Sequence, residues 1–449
     1  MKAIKPTAAG SDGLPRWLFH YCSIELAHII CKSLNSGIVP AQWKTAYVSP
    51  VPKTNKPKTL SDYRPISVTS ILSRVTEKMV VKKWLMPSIP ARDIDDQFGF
   101  RPTGSTTCAL VCLMHHVTQM LETNAYVRCL CIDFSKAFDV VDHNLLYAKL
   151  SRLSLPTNIL HWLFSFLCDR TQHVKLNDVL SDARPINLGT VQGSGIGPSC
   201  YIIMASDLRA LSLLINKLLK YADDTNLLVP EHTDVELVDE FNALKQWALN
   251  NKMIINVLKT KELVFHRPNP NLYVPPLPLD DVERVSNIKL LGVFLSDTLD
   301  FDEHVKFILT VCGQRCYLLK ALRWQGLGPE HIDTVFQSLI ISRLSYAVSA
   351  WGGFLSRQQS SKIDAFLSRA RRFGFTCTAT TFSQLLDGAD CTLFKRTIQN
   401  TSHCMYNLLP PRRILDVKLR NSLNFELPKC KYVMYKNSFI VRSIFRASY

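Results

Sequence analysis

Two adjacent carboxylates, Asp223 and Asp224, follow Tyr221-Ala222 between two apolar runs. One run is Leu211 to Leu219, interrupted by Asn216 and Lys217; the other is Leu227 to Val229. The pattern predicts strand, tight turn, strand, with the acids at the turn. Asp is depleted in strands, so a pair there points to work other than folding. Hard carboxylate oxygens suit Mg²⁺ held against phosphates. A further acid, Asp133, closes the apolar segment of Cys131-Ile132-Asp133-Phe134-Ser135-Lys136-Ala137-Phe138-Asp139. Carboxylates from separate strands can bridge two ions about 3.5–4 Å apart, the arrangement that offsets charge on the attacking and leaving oxygens in nucleotidyl transfer. Asp133 and Asp223 are therefore candidate catalytic metal ligands, with Asp224 as a third contributor. The backbone carbonyl of Phe134 can complete a magnesium shell. For Asp133 alone, the competing reading is a cap on a helix starting at Ser135.

Other residues fit the same chemistry, each with a plainer alternative. Phe138 could sit under the sugar of an incoming nucleotide and exclude a 2′-hydroxyl by steric clash; by spacing alone it is a core phenylalanine. The turn Gln192-Gly193-Ser194-Gly195-Ile196-Gly197-Pro198 offers backbone N–H groups at a helix start, suited to phosphate or base-pair contact. It lacks the Gly-Lys-Ser/Thr of a P-loop. Lys53 and Arg64 could reach a triphosphate, Arg as a bidentate fork and Lys as a point charge, or could simply be surface cations. Lys259 could protonate departing pyrophosphate, or be an exposed hairpin lysine. Asp142 reads as the N-cap of the next helix, and Asp139 as the partner of a local donor.

The 449 residues carry a net charge of +16. That excess calls for a polyanionic partner, nucleic acid before anionic membrane. From Arg357 onward there are 16 Lys/Arg against 5 Asp/Glu, or +11, which reads either as template grip or as a solvated surface. Fourteen cysteines fit neither a disulfide framework nor zinc-ligand spacing; Cys391, His403 and Cys404 lack the usual pairing. Free Cys is a small buried hydrophobe, so reduced core thiols are expected, and with them an intracellular protein of cytoplasm and nucleus. The N-terminal Met-Lys-Ala-Ile-Lys-Pro has no apolar signal core. No stretch reaches the roughly 18 apolar residues of a membrane span, so no membrane partner is expected.

Periodicity then predicts the elements that position these residues. Helices are expected over about 16–36, with Leu18, Ile24, Leu26, Ile29 and Ile30 as the apolar side and Gly37 as the stop, and over 70–85, 105–122, 143–153 and 157–167. Another opens at the glycine-rich turn and runs to about 214. A helix over 234–250 presents Val235, Val238, Phe241, Leu244 and Trp247 on one side. Strands are expected over 43–51, 127–133, 171–180, 184–188, 253–256, 262–266 and 288–295. A proline-rich stretch, 267–278, marks a boundary. Beyond it long helices cover about 303–324, 329–349 and 357–373, and the last 70 residues are irregular and basic. The fold class is α+β: a mixed region whose antiparallel sheet carries the acids, then a mostly helical region.

Taken in order, the motifs resemble the reverse transcriptases of non-LTR (LINE-type) retrotransposons, in the jockey/CR1-like group. The resemblance runs from Gly10-Ser11-Asp12-Gly13-Leu14-Pro15 to Trp351. It passes through Ser61-Asp62-Tyr63-Arg64-Pro65-Ile66-Ser67, Gln97-Phe98-Gly99-Phe100-Arg101, the Asp133 to Asp139 block and Gln192-Gly193-Ser194. It continues through Tyr221-Ala222-Asp223-Asp224, Asn256 to Thr260, and Leu291-Gly292-Val293. It implies a right-hand polymerase. Residues 1–44 would be an N-terminal extension, 45–270 fingers and palm, 280–375 a primer-grip hairpin and helical thumb, and 376–449 a basic C-terminal region. It implies Asp133, Asp223 and Asp224 as metal triad and Phe138 as sugar gate. Lys53 and Arg64 would touch the triphosphate, Gln192 and Gly193 the nascent base pair, and Leu291-Gly292 the primer. The implied activity is RNA-directed DNA synthesis with two Mg²⁺ ions, or Mn²⁺, on an RNA template with a DNA primer and dNTPs; oligomeric state is left open. Val191 stands where many relatives have Pro, and Ser199-Cys200-Tyr201 replaces a more usual apolar run. Complete elements of this group carry an apurinic-type endonuclease ahead of the polymerase. None fits before residue 10, so an isolated polymerase portion is expected, and no RNase H motif is apparent in 376–449. The alternative function is a catalytically idle nucleic-acid-binding remnant of a truncated element. An RNA-templated RNA polymerase is disfavoured by Phe138, and a group II intron maturase by the Tyr63 to Ile66 and Asp133 to His143 blocks.

Overall fold

The computed structural model describes residues 10–15, 17–177, 179–268, 274–412 and 425–447. Along the chain the strands are β1 (Thr45–Pro52), β2 (Tyr63–Val68), β3 (Tyr126–Ile132), β4 (Arg170–Leu176), β5 (Val179–Leu180) and β6 (Arg184–Ile186). They continue with β7 (Lys217–Tyr221), β8 (Asp224–Pro230), β9 (Lys261–His266), β10 (Glu283–Val285), β11 (Asn287–Leu290) and β12 (Val293–Ser296). The chain divides into two interleaved compact units. One comprises Met1–Asp96, Phe134–Arg209 and Asn242–Asn256; the other comprises Gln97–Asp133, Ala210–Phe241 and Val257–Tyr449.

In the first unit β2, β1, β4 and β5 lie in that order, with β6 also on β4. β2 is a strand that periodicity did not predict, because Pro65 suppresses the signal. It is tolerated because β2 is an edge strand, where a missing N–H costs no ladder bond. The helix expected over 16–36 is two pieces, Leu18–Tyr21 and Ser23–Ser36, and Arg16 lies outside the described residues. Its buried line is Leu26, Ile30 and Leu34, spaced by four, while Ile24 and Ile29 face solvent. Gly37 ends it in the left-handed conformation, φ 69°. The helix at the glycine-rich turn is Gly197–Met204 and stops ten residues short of its expected end. Residues 253–256 form no strand; Ile255 makes an isolated bridge to Phe134, and the Ile254 carbonyl accepts the Ser135 N–H at 2.8 Å.

In the second unit the sheet order is β10-β9-β3-β8-β7. β3 pairs antiparallel with both β8 and β9, and β7 with β8; β10 joins β9 in parallel. β3 and β8 are buried on both faces, so they read as apolar runs without alternation. The apolar run 211–219 supplies only β7. Leu211, Leu213 and Leu214 are exposed, because Glu240 accepts the N–H groups of Leu211 and Ser212 while the Ser212 hydroxyl accepts those of Ile215 and Asn216. These bonds hold a tight turn where a strand was expected. Leu237, Phe241, Leu244 and Ala248 form the buried line of helix Leu237–Asn250, and Val238 is exposed. The proline-rich stretch lies partly outside the described residues, which resume at 274.

Helices Asp302–Trp324 and Arg357–Arg372 fall where expected, but the one expected over 329–349 is broken into Pro329–Phe336, a wider-wound turn Gln337–Ile341, Ser342–Leu344 and Val348–Trp351, with Ala347 left-handed at φ 50° between the last two. The last 70 residues are not irregular throughout. Helix Phe382–Gln399 opens on a capping box, Thr381 with Gln384, a start signal present in the sequence. It buries Phe394 against Phe439, and Asp390 against Arg442 at 2.8 Å. All fourteen cysteines are free; Cys31, Cys377 and Cys391 are exposed rather than in the core. Among the described residues, no helix is long and apolar enough to cross a membrane.

Candidate active site

The three acids meet at one end of the β3–β8–β7 sheet. β3 and β8 stay paired to Ile132 opposite Thr225, so Asp133 and Asp224 follow as the next residues along each strand. Directly opposed residues in an antiparallel pair stand about 4.5–5.5 Å apart. Asp223 precedes Asp224 in the two-residue turn between β7 and β8, closed by the Tyr221–Asp224 pair. Desolvation, then the charges of Asp223 and Asp133, push the Asp224 carboxyl up to about 6. The Asp224 residue itself still reaches solvent. Mutual repulsion of this kind marks three carboxylates close enough to share a cation. Lys259 Nζ lies 4.0 Å from Asp133 Oδ2. The Asp133 backbone N–H donates to Thr260 Oγ1 at 3.3 Å, which fixes the acid beside the start of β9. All-oxygen donors from two strands suit a hard divalent ion, so the residues present fit the metal this chemistry requires.

The acid turn is braced by Gln97. Its side-chain Oε1 accepts the Ala222 N–H and the Gly99 N–H, both at 2.8 Å, and its Nε2 donates to the Ala222 carbonyl at 3.4 Å. Phe98 N–H donates to the Lys220 carbonyl at 2.7 Å. Ala222 is held at φ 56°, a left-handed conformation that costs free energy in a non-glycine residue. A Cβ on Gly99 would come within 2.5 Å of the Ala222 nitrogen, so only glycine admits this approach.

Also in the second unit, Leu291-Gly292 forms the turn between β11 and β12, with φ 45° and 88°. Positive φ at both central residues matches the twist of a two-residue hairpin. The Tyr346 hydroxyl donates to the Leu291 carbonyl at 2.8 Å. Burial, then Tyr346, then Asp224 push the Tyr221 phenol up, so Tyr346 stands beside the acid turn as well as the hairpin.

The first unit gathers most of the other candidates. Ser67 N–H, on β2, donates to the Gln192 carbonyl at 2.7 Å. Gln192 Nε2 donates to Asp139 Oδ1 at 2.7 Å, so the partner of Asp139 comes from the glycine-rich turn rather than from its own loop. Gly193 is at φ 110°, and a Cβ there would lie 2.6 Å from the Ser67 carbonyl oxygen. Phe138 packs its ring on Tyr201, centroids 4.6 Å apart, and accepts the Thr190 N–H on its carbonyl. Cys200 and Tyr201 are buried, as an apolar run in their place would be. Arg64 is exposed on β2 opposite Val51. Lys53 is exposed too, with its Nζ on the Ser61 carbonyl at 2.8 Å. The Phe134 ring is buried against Trp247. Asp142 caps helix His143–Leu150 as expected, accepting from Asn144 and Leu145, and also takes Lys252 at 2.7 Å.

Residues 51–295 match the family model described as reverse transcriptase (RNA-dependent DNA polymerase). The chain belongs to the reverse transcriptase family. It is 29% identical over 367 residues to a probable RNA-directed DNA polymerase from transposon BS of Drosophila melanogaster, covering 77% of this chain and 40% of that protein. It is 28% identical over 345 residues to the RNA-directed DNA polymerase from mobile element jockey of the same fly, covering 73% and 37%. These names bear out the resemblance to non-LTR elements. The chain thus spans about two fifths of the length of the curated relatives it matches. Telomerase from Candida tropicalis overlaps it at a TM-score of 0.42 and 14% identity, over 85% of this chain and 71% of that one. Reverse transcriptases generally use divalent metal ions and bind a nucleic-acid template.

Three residues of this reverse transcriptase were not assigned a role from sequence. Gln97 opens the Gln97-Phe98-Gly99-Phe100-Arg101 motif, but its grip on Ala222 depends on a contact 125 residues away. Tyr346 offered no signal among helical residues. Glu77, fully buried, accepts the Gly195 N–H at 2.6 Å and the Ser73 hydroxyl at 2.7 Å, so it anchors the Gln192–Pro198 turn. A lone Glu in an amphipathic helix gave no hint of that.

Proposed function

We propose that this chain is the polymerase portion of a non-LTR retrotransposon protein, an RNA-directed DNA polymerase that extends a DNA primer with dNTPs on an RNA template. Residues 45–270 act as fingers and palm, 280–375 as primer-grip hairpin and thumb, and 376–449 as a basic extension of it. The observation that carries the reading is the convergence of Asp133, Asp223 and Asp224 at one end of a single antiparallel sheet. Two Mg²⁺ ions, or Mn²⁺, bound there would activate the primer 3′-oxygen and offset charge on the leaving pyrophosphate.

The chain's own residues do the rest. Asp133, Asp223 and Asp224 hold the metal, with the Phe134 carbonyl as a further oxygen. Lys53 and Arg64 neutralise the triphosphate and orient it. Lys259, 4.0 Å from Asp133, delivers a proton to departing pyrophosphate. Phe138, braced by Tyr201, excludes a 2′-hydroxyl. Gln192 and Gly193 line the nascent base pair, and Leu291-Gly292 holds the primer end. The protein works in cytoplasm and nucleus, where RNA and deoxynucleotides meet.

Primer extension on poly-rA with oligo-dT, dTTP and Mg²⁺ tests this. Wild type should extend, and Asp223→Ala should lose about 1,000-fold or more, equivalent to several kcal/mol of transition-state stabilisation. Phe138→Ala should keep dTTP incorporation and admit UTP. Well-folded wild type with no extension in Mg²⁺ or Mn²⁺ would overturn the polymerase reading.

A further inference from the structure

A second cluster of metal-ligating side chains lies in the same unit as the acids. Cys108, His403 and Cys404 bring their ligand atoms within 4.8 Å of one another. They come from two distant stretches, the first turn of helix Thr106–Met120 and the segment after helix Phe382–Gln399. Cys108 and His403 are buried and Cys404 is half-buried.

The three positions are fixed by their surroundings. The Cys404 N–H donates to Thr103 Oγ1 at 3.0 Å, and its thiol to the Thr103 carbonyl at 3.3 Å. The Cys108 thiol turns to the same carbonyl at 3.8 Å, while its N–H and the Ser105 hydroxyl tie it to the helix N-cap. The Met405 N–H donates to His403 Nδ1 at 3.2 Å, a contact that a metal at that nitrogen would replace.

We infer that Cys108, His403 and Cys404 form a zinc site, with water as the fourth ligand on the side where Cys404 reaches the surface. Two sulfurs and an imidazole are soft and borderline donors, the set that selects Zn²⁺ over Mg²⁺ or Ca²⁺. Zn–S bonds near 2.3 Å at tetrahedral angles put two sulfurs roughly 3.8 Å apart, so the cluster closes on a metal with side-chain shifts of about an ångström. The ion would fasten residues 403–404 to the start of the helix that packs on β7, the strand leading into the acid turn. It would steady the polymerase end of the sheet without touching substrate.

The test is metal content of the full chain, purified in zinc-supplemented medium without chelator. Wild type and Cys391→Ser, which alters an exposed thiol outside the cluster, should each hold about one zinc per chain. Cys404→Ser and His403→Asn should hold less by roughly tenfold or more. Cobalt reconstitution of the wild type gives an answer that needs no variant: a sulfur-to-cobalt charge-transfer band is expected. Three results would each overturn the assignment: equal zinc in wild type and folded Cys404→Ser, no such cobalt band, or a Cys108–Cys404 disulfide in freshly purified protein.

Discussion

Asp224 carries a liability that the proposed metal-holding role would explain. Its carboxyl is raised to about 6, above the 3.8 of an unperturbed Asp, so between those values the folded chain binds more protons than the unfolded one. Stability without metal therefore falls as pH rises from about 4 to 6, and stays lower above. Asp224→Asn should raise the melting temperature of the metal-free protein at pH 7 and flatten its rise on acidification to pH 5. Because the residue reaches solvent, the gain should be no more than a few degrees. Divalent cations compete with the same proton, so wild-type Mg²⁺ affinity should drop as pH falls through about 6. Calorimetric melts with and without Mg²⁺ at pH 5 and 7.5 read both effects; an Asn variant no more stable than wild type at pH 7 would mean the three charges do not repel as described. The acids themselves were legible in the sequence, because hard-oxygen chemistry needs carboxylates and strands otherwise avoid them. Their mutual electrostatics were not, because that depends on register between strands 90 residues apart.

Between residue and molecule, the turn that presents the acids is the decisive element. Ala222 at φ 56° does not hold itself there; Gln97 takes its N–H and its carbonyl. Gln97→Ala leaves the buried Ala222 N–H without a partner, at a cost of about 1–3 kcal/mol. A shift of the acids by about 1 Å can cost roughly 100-fold in rate. The expected result is a kcat loss of that order with a raised Mg²⁺ requirement and little change in KM for primer-template. Loss of stability with an unchanged metal requirement would make Gln97 merely structural. Helices Asp302–Trp324 and Arg357–Arg372 and the turn that carries the acids followed from periodicity, whereas the helix expected over 329–349 is broken at Ala347. β2 escaped because Pro65 masks an edge strand, and the run 211–219 misled because Glu240 and Ser212 fold its first half into a turn. Those are tertiary decisions that local pattern does not contain.

At the scale of the molecule, the basic stretch after Arg357, read in sequence as template grip or solvated surface, is built into the core of the second unit. Asp390 grips Arg442, Trp351 stacks near Phe382, and Phe394 packs on Phe439. Deleting 357–449 would strip the core of the second unit, so lost nucleic-acid binding in such a truncation would report unfolding. The charge must be removed where it faces water. Arg369, Arg371 and Arg372 are exposed at the end of helix Arg357–Arg372. There they also favour the negative pole of the helix dipole at about 0.3 kcal/mol or more each, so neutralising all three costs about 1 kcal/mol. If these arginines lie along the template, each phosphate contact contributes about 0.7–0.9 to the slope of log K against log salt. Replacing all three with Gln should then flatten that slope for an RNA–DNA primer-template by roughly 2 to 3, with the melting temperature nearly unchanged. A slope equal to wild type would place the template elsewhere and leave this helix end as a solvated surface. Either result decides by charge alone whether the polyanion track crosses this helix end, independent of whether nucleotide is added.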